Sequence, residues 1–146
     1  MRITLVPEGG GTNITIQTQD LDGDGPNTPV RDISGNLTAN TTYTGSIVFL
    51  NETESPAEDI TEEVEEEDDE HQVFYIPSGS ISSITYNDQD GNGNPLGLAF
   101  TLETGAAGNA TLEVSLVHEP KKPNDGTLTD AGGETDFTDT YAITVE

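Results

Sequence analysis

Apolar residues alternate at period two along this chain, in short stretches bounded by turn formers, and that pattern leaves the fewest folds open. Leu96, Leu98, Phe100 and Leu102 alternate without a break, and Leu112, Val114 and Leu116 follow. A spacing of two puts side chains on one face of a strand, whereas a helix repeats at about 3.6 residues. The same alternation marks residues 2–6 (Ile3, Leu5), 13–17 (Ile14, Ile16) and the closing Tyr141, Ile143 and Val145, and more weakly 80–86 (Ile81, Ile84, Tyr86). Residues 45–50 and 73–76 are continuous apolar runs, which predict strands buried on both faces. About eight short strands separated by Gly, Pro, Asn and Asp predict an all-β chain. Their uneven lengths favour an immunoglobulin-like β-sandwich over a closed barrel. The 146 residues fit a single domain, 1–146.

One segment breaks the β rhythm. Ser55 as N-cap, Pro56 at the first helical position and acids in the first turn predict one short acidic helix over about 56–68. Ile60 and Val64, four apart, give it a narrow apolar stripe. Six consecutive acids, Glu65 to Glu70, then fall where a helix C-terminus favours positive charge. Such an end either frays into solvent or holds a cation.

Charge settles what the chain does not bind. It has 28 Asp and Glu against 4 Lys and Arg, a formal net charge of -24. That excludes nucleic acid bound through its phosphates and docking to an anionic membrane through a basic patch. With no Cys there is no thiolate metal site, thiol catalysis or disulfide framework. No apolar run reaches the roughly 18 residues of a membrane span, so no direct insertion of this segment is expected. Leu, Ile, Val and Phe make up only 32 of 146 residues, close to the composition of disordered acidic chains. The 21 Thr, the 16 Gly and the clean alternation argue for folding. The acidity also fits a saline habitat.

Two Asp-Gly loops resemble each other: Asp20-Leu21-Asp22-Gly23-Asp24-Gly25 and Asp88-Gln89-Asp90-Gly91-Asn92-Gly93. Oxygen side chains at alternate positions suit calcium, so Asp20, Asp22, Asp24, Asp88, Asp90 and Asn92 are calcium candidates. The twelfth position, where a helix-loop-helix site needs a bidentate Glu, is Arg31 in one loop and Ala99 in the other. Self-capped turns are the plainer explanation. The two histidines, His71 and His118, begin one strand and end another. With Glu67, Glu70 and Glu119 they form a candidate site for zinc or copper. A histidine at the rim of a core is more often a hydrogen-bonded packing residue.

Neither a nucleophile elbow nor a phosphate-cradling loop is present, since Gly9-Gly10-Gly11 leads into a strand, and no enzyme is expected. Five Asn-x-Ser/Thr sequons, at Asn13, Asn36, Asn40, Asn51 and Asn109, hint at an exported surface.

The chain resembles a family of small Bacteroidota lipoproteins, hypothetical proteins loosely labelled as type 1 periplasmic-binding-fold and often encoded beside TonB-dependent outer-membrane receptors. The resemblance covers nearly the whole chain. It is carried by Asp20-Leu21-Asp22-Gly23-Asp24-Gly25, by residues 50–63, by Asp69-Glu70-His71-Gln72 and Asp88-Gln89-Asp90-Gly91-Asn92-Gly93, and by His118-Glu119-Pro120 and Gly132-Gly133-Glu134-Thr135-Asp136. It implies export, with a lipid-bearing Cys ahead of Met1, a place at the cell surface or outer membrane, and a TonB-dependent receptor as partner. Strands abut both ends of the chain, which is expected to be a domain of a longer precursor. The periplasmic-binding label implies alternating strands and helices, which the residues do not show. Two functions follow. The first is a non-catalytic surface binding module that takes a metal ion beside an outer-membrane receptor. The second is a structural or adhesive sandwich that assembles through its terminal strands.

Overall fold

The period-two stretches fold as antiparallel strands in two packed sheets. The structure, a computed structural model, describes residues 1–22, 25–53 and 56–146. The chain runs β1 (Arg2–Pro7), β2 (Ile14–Gln19), β3 (Val30–Ile33), β4 (Thr42–Val48), β5 (Leu50–Asn51), β6 (Glu58–Asp59) and α1 (Ile60–Glu66). It continues through β7 (His71–Gly79), β8 (Ile81–Tyr86), β9 (Ala99–Thr104), β10 (Gly108–His118), α2 (Leu128–Ala131) and β11 (Glu134–Val145).

One sheet has the order β3-β2-β1-β4-β9-β8, the other β11-β10-β7, and β5 and β6 form a small ribbon. Read as β1-β4-β9-β8 against β11-β10-β7, these are the A-B-E-D and G-F-C sheets of a constant-type immunoglobulin sandwich. The β2–β3 hairpin is added outside β1. Ile3, Leu5, Ile47, Phe100 and Leu102 of the first sheet share one buried cluster with Leu112, Val114, Tyr141 and Ile143 of the second.

The centre of that core has an unusual construction. Antibody-type domains build it from a disulfide and a tryptophan, and this chain has neither Cys nor Trp. Register pairs Gly45 of β4 with Phe100 of β9, and the Phe100 ring fills the space a Cβ at 45 would need. Tyr75 of β7 lies on the same ring, centroids 4.3 Å apart, and its hydroxyl donates to the Gly97 carbonyl at 2.7 Å. Gly45→Ala is expected to lower stability by about 1–3 kcal/mol, the cost of overpacking a filled core. Denaturant unfolding measures it, and an unchanged midpoint would show that Phe100 yields freely.

The inserted hairpin is tied across the sandwich. Thr18 Oγ1 donates to Asp139 at 2.5 Å and takes the Tyr141 hydroxyl proton at 2.6 Å, while Arg31 Nε spans both Asp139 oxygens at 2.7 and 2.8 Å. Burial, with the Asp139 charge beside it, pushes the Tyr141 hydroxyl up to about 12. Leu37, fully buried, makes a parallel bridge to Val145 along the same side.

Several expectations need correction. Among the described residues there are nine strands of four or more residues and two of two, rather than about eight. The helix is Ile60–Glu66, shorter than 56–68, and its N-cap is Asp59, whose carboxylate accepts from Thr61 N at 2.9 Å. Pro56 is not in it, and Ser55 lies outside the described residues. The reason is non-local: Glu58 and Asp59 pair with Asn51 and Leu50, and the Phe49 carbonyl takes the first two helical N–H groups. Residues 45–50 are not buried on both faces; Gly45, Ile47 and Phe49 are buried while Ser46 is exposed and Val48 and Leu50 are half-buried. Of the run 73–76, Val73, Phe74 and Tyr75 are buried, because α2 covers the outer face through Leu128 and Ala131 against Phe74 and Val117, whereas Ile76 beyond that cover is exposed.

Candidate metal centre

Both histidines arrive at one rim because their strands are antiparallel neighbours in register, His71 directly opposite His118. His71 is in phase with Val73 and Tyr75, and His118 with Leu116 and Val114, so both lie on the inner face where the core opens. Helix α1 closes the neighbouring part of this rim with Val64, which is buried in the same core. The rings stack with centroids 4.8 Å apart and planes 9° from parallel.

The two imidazoles differ in freedom. His71 is buried, and its Nδ1 lies 3.1 Å from the Glu67 carbonyl at the end of α1. A carbonyl only accepts, so this bond places the proton on Nδ1 and leaves the Nε2 lone pair free, the arrangement in which histidine binds metals. His118 is half-exposed, and its Nε2 is 3.6 Å from a Glu70 carboxylate oxygen.

Among the described residues, two sets place one donor atom each within 4.8 Å of one another: Glu67, His71 and His118, and Glu70, His118 and Glu119. His118 belongs to both. Tetrahedral zinc, with bonds near 2.0–2.1 Å, needs donors about 3.3 Å apart. In-plane lone pairs of stacked rings lie in parallel planes, so convergence on one ion requires the half-exposed His118 ring to turn. The backbone here is held tightly. Glu119 has φ 51°, rare for a non-glycine residue, and its N–H donates to the Glu70 carbonyl at 2.7 Å. Gly133, φ 77°, lets β11 begin against the end of β10, since a Cβ there would meet the His118 carbonyl at 2.5 Å.

The turn that carries Glu67 and Glu70 is anchored from behind by Lys122. Its ammonium donates to the Asp68 carbonyl at 2.6 Å and to Asp90 at 3.2 Å, with both side chains buried. Asp68 also accepts from Gly91 N at 3.1 Å. A polar depression of about 460 Å³, lined by Asp69, Asp90, Asn94, Pro120 and Lys122, opens beside this turn.

The described acids among the calcium candidates accept hydrogen bonds within their own turns. Asp88 accepts from Gly97 N and Ala99 N at 2.8 and 2.9 Å. Asp90 accepts from Asn92 N, Asn94 N and the Asn94 amide, so Asn92 gives its backbone N–H rather than an oxygen. The cation beside Asp90 is the Lys122 ammonium. Burial pushes the Asp90 carboxyl up, but the Asn94, Lys122 and Asn92 donors outweigh it and hold it at about 2. In the first loop Asp20 accepts from Asp22 N at 3.2 Å, and Asp22 from Asn27 N and Nδ2 at 3.2 and 2.6 Å. Asp24 lies outside the described residues. The described acids of both loops cap turns, with asparagines as the partners of Asp22 and Asp90.

Two residues at this rim are not among the site candidates read from the sequence. Lys122 is one of only two lysines, and Glu134 stands opposite His118 on the other side, in β11. A glycine pair directly ahead of a strand, Gly132-Gly133, was the available signal for the second. Fold and rim together define a class: an immunoglobulin-type sandwich with a histidine pair and carboxylates at one open end. No protein-family model, curated protein or solved structure matches the chain.

Proposed function

We propose that this chain is a non-catalytic binding module that captures a transition-metal cation, zinc or copper, through His71 and His118 with Glu67, Glu70 and Glu119. The observation that carries this reading is the in-register histidine pair, with the His71 tautomer set by the Glu67 carbonyl. Mixed nitrogen and oxygen donors suit these ions, whereas calcium takes oxygen alone. The acids of the turn and the net charge of -24 concentrate cations at the rim. Among the described residues neither imidazole is hydrogen-bonded to a Ser or Thr hydroxyl, the arrangement a histidine-activated nucleophile requires. No described helix is long and apolar enough to cross a membrane. The resemblance to receptor-associated surface lipoproteins supports an exported module, anchored by a lipid outside this segment, that serves a TonB-dependent receptor.

Calorimetric titration of the chain with zinc, copper and calcium salts is the test. One zinc or copper ion per chain is expected. His71→Ala and His118→Ala are each expected to weaken it by more than the roughly 10–100-fold that loss of a ligand's hydrogen-bond partner costs. A flat titration of the parent chain, or binding unchanged in both variants, overturns the proposal.

A further inference from the structure

We infer that Glu134 is a further ligand to the same ion, brought to the histidine face by a β-bulge built into β11. The inference rests on the metal reading above and extends it to a residue outside the two donor sets. Along β10 and β11, Leu112 faces Tyr141, Val114 faces Asp139 and Leu116 faces Phe137. These pairs lie on the inner side of the sheet, with Tyr141 buried and Phe137 packed on the core. The register then slips: Val117 faces Thr135 and His118 faces Glu134, which leaves Asp136 as the extra residue.

Strand side chains alternate, so a slip of one residue exchanges the faces of everything beyond it. Counting from Phe137 without the bulge would turn Thr135 inward and Glu134 out. With Asp136 extruded, Glu134 shares the inner face with His118. The row His71, His118, Glu134 then crosses all three strands of the sheet. Directly opposite residues in antiparallel strands have Cα atoms only about 4.5–5.5 Å apart, within reach of a glutamate side chain. Bulges recur where a side chain must be re-aimed beside a site.

Glu134 is also available. It is exposed, and among the described residues its carboxylate has no ion-pair partner. The position before it is held by Gly133 at φ 77°, a conformation that costs any other residue strain. His118, the ring that must turn for the two imidazoles to converge, is the residue Glu134 faces. A carboxylate on that side gives the turned ring an ion shared with β11, so three strands and the acidic turn close on one cation.

Zinc and copper titrations of Glu134→Gln and Asp136→Asn beside the parent chain and His118→Ala test this. Glu134→Gln is expected to weaken binding by about 10-fold or more. Asp136→Asn, which removes the same charge two residues away on the bulge, is expected to change it by no more than about twofold, the loss of field alone. Equal weakening by the two variants, or none by Glu134→Gln while His118→Ala abolishes binding, overturns the Glu134 assignment and leaves the histidine site standing. A parent chain that binds neither metal overturns both.

Discussion

Replacing Lys122 with methionine is expected to cost about 3–5 kcal/mol, the range for breaking a buried ion pair from one side. The side chain is 6% exposed and its partner Asp90 is 0% exposed. Methionine keeps the apolar stem but strands a buried carboxylate without its cation and the Asp68 carbonyl without its donor. The three loop donors from Asn92 and Asn94 remain, which favours the lower end of the range. Asp90→Asn in the same background removes the stranded charge and should recover part of the loss, so a double-mutant cycle shows coupling well above the 0.5 kcal/mol of independent sites. Additive losses would mean that the two groups are neighbours without being partners. Because the same ammonium holds the turn bearing Glu67 and Glu70, Lys122→Met should also weaken metal capture although it touches no ligand.

What was legible beforehand follows from where burial is one-sided. Strands that present one face to the core, such as β1, β2 and β9, write that face into the sequence as alternation. β3 could not be read, because Val30, Arg31 and Asp32 are all exposed and carry no period. Its place is set by pairing with β2 and by the reach of Arg31 to Asp139. The first three residues of β11, Glu134, Thr135 and Asp136, are exposed and polar for the same reason. The helix start failed differently. Ser55, Pro56 and the acids after them form a sound local signal, but the ribbon of β5 with β6 and the Phe49 carbonyl use that backbone first. Tertiary hydrogen bonds outweighed propensity, as they commonly do for short helices.

The candidate centre was half legible. Phase with Leu112, Val114 and Leu116 already placed His118 on the core face, and the acids around both histidines were evident. Strand pairing was not, because it joins residues 47 apart in the chain, 118 against 71, and several topologies would have separated them. The bulge that re-aims Glu134 and the lysine behind the acidic turn are consequences of that pairing. Gly132-Gly133 marks only the start of β11, and no local pattern announces the lysine.

Acid should unfold the chain in a window set by its buried carboxylates rather than by its acidic surface. Asp90 is held at about 2, and Asp139 is also held below the ordinary range: burial raises it, but Thr18, Arg31 and the Thr140 N–H lower it further. A carboxyl whose folded pKa is depressed stabilises the fold fully above its unfolded value, near 4, and loses that stabilisation as pH falls through the folded value. For Asp90 the window is therefore about pH 4 down to about 2, and the loss is on the order of 2 kcal/mol. Asp139 adds to it in the same direction, because the link between β11 and the β2–β3 hairpin weakens once its carboxylate takes a proton. Screening of the surface charge by salt acts oppositely, relieving repulsion over a Debye length of about 8 Å at physiological ionic strength. The measurement that separates them is a difference: denaturant stability of the parent chain minus that of Asp90→Asn, taken across pH at constant ionic strength. Repulsion among the surface acids is nearly common to both proteins and cancels, so the gap should be widest above about pH 4 and close toward pH 2. A gap that stays constant down to pH 2 would show that the Asp90 carboxyl is not depressed, and that Lys122 and the loop amides do not hold its charge.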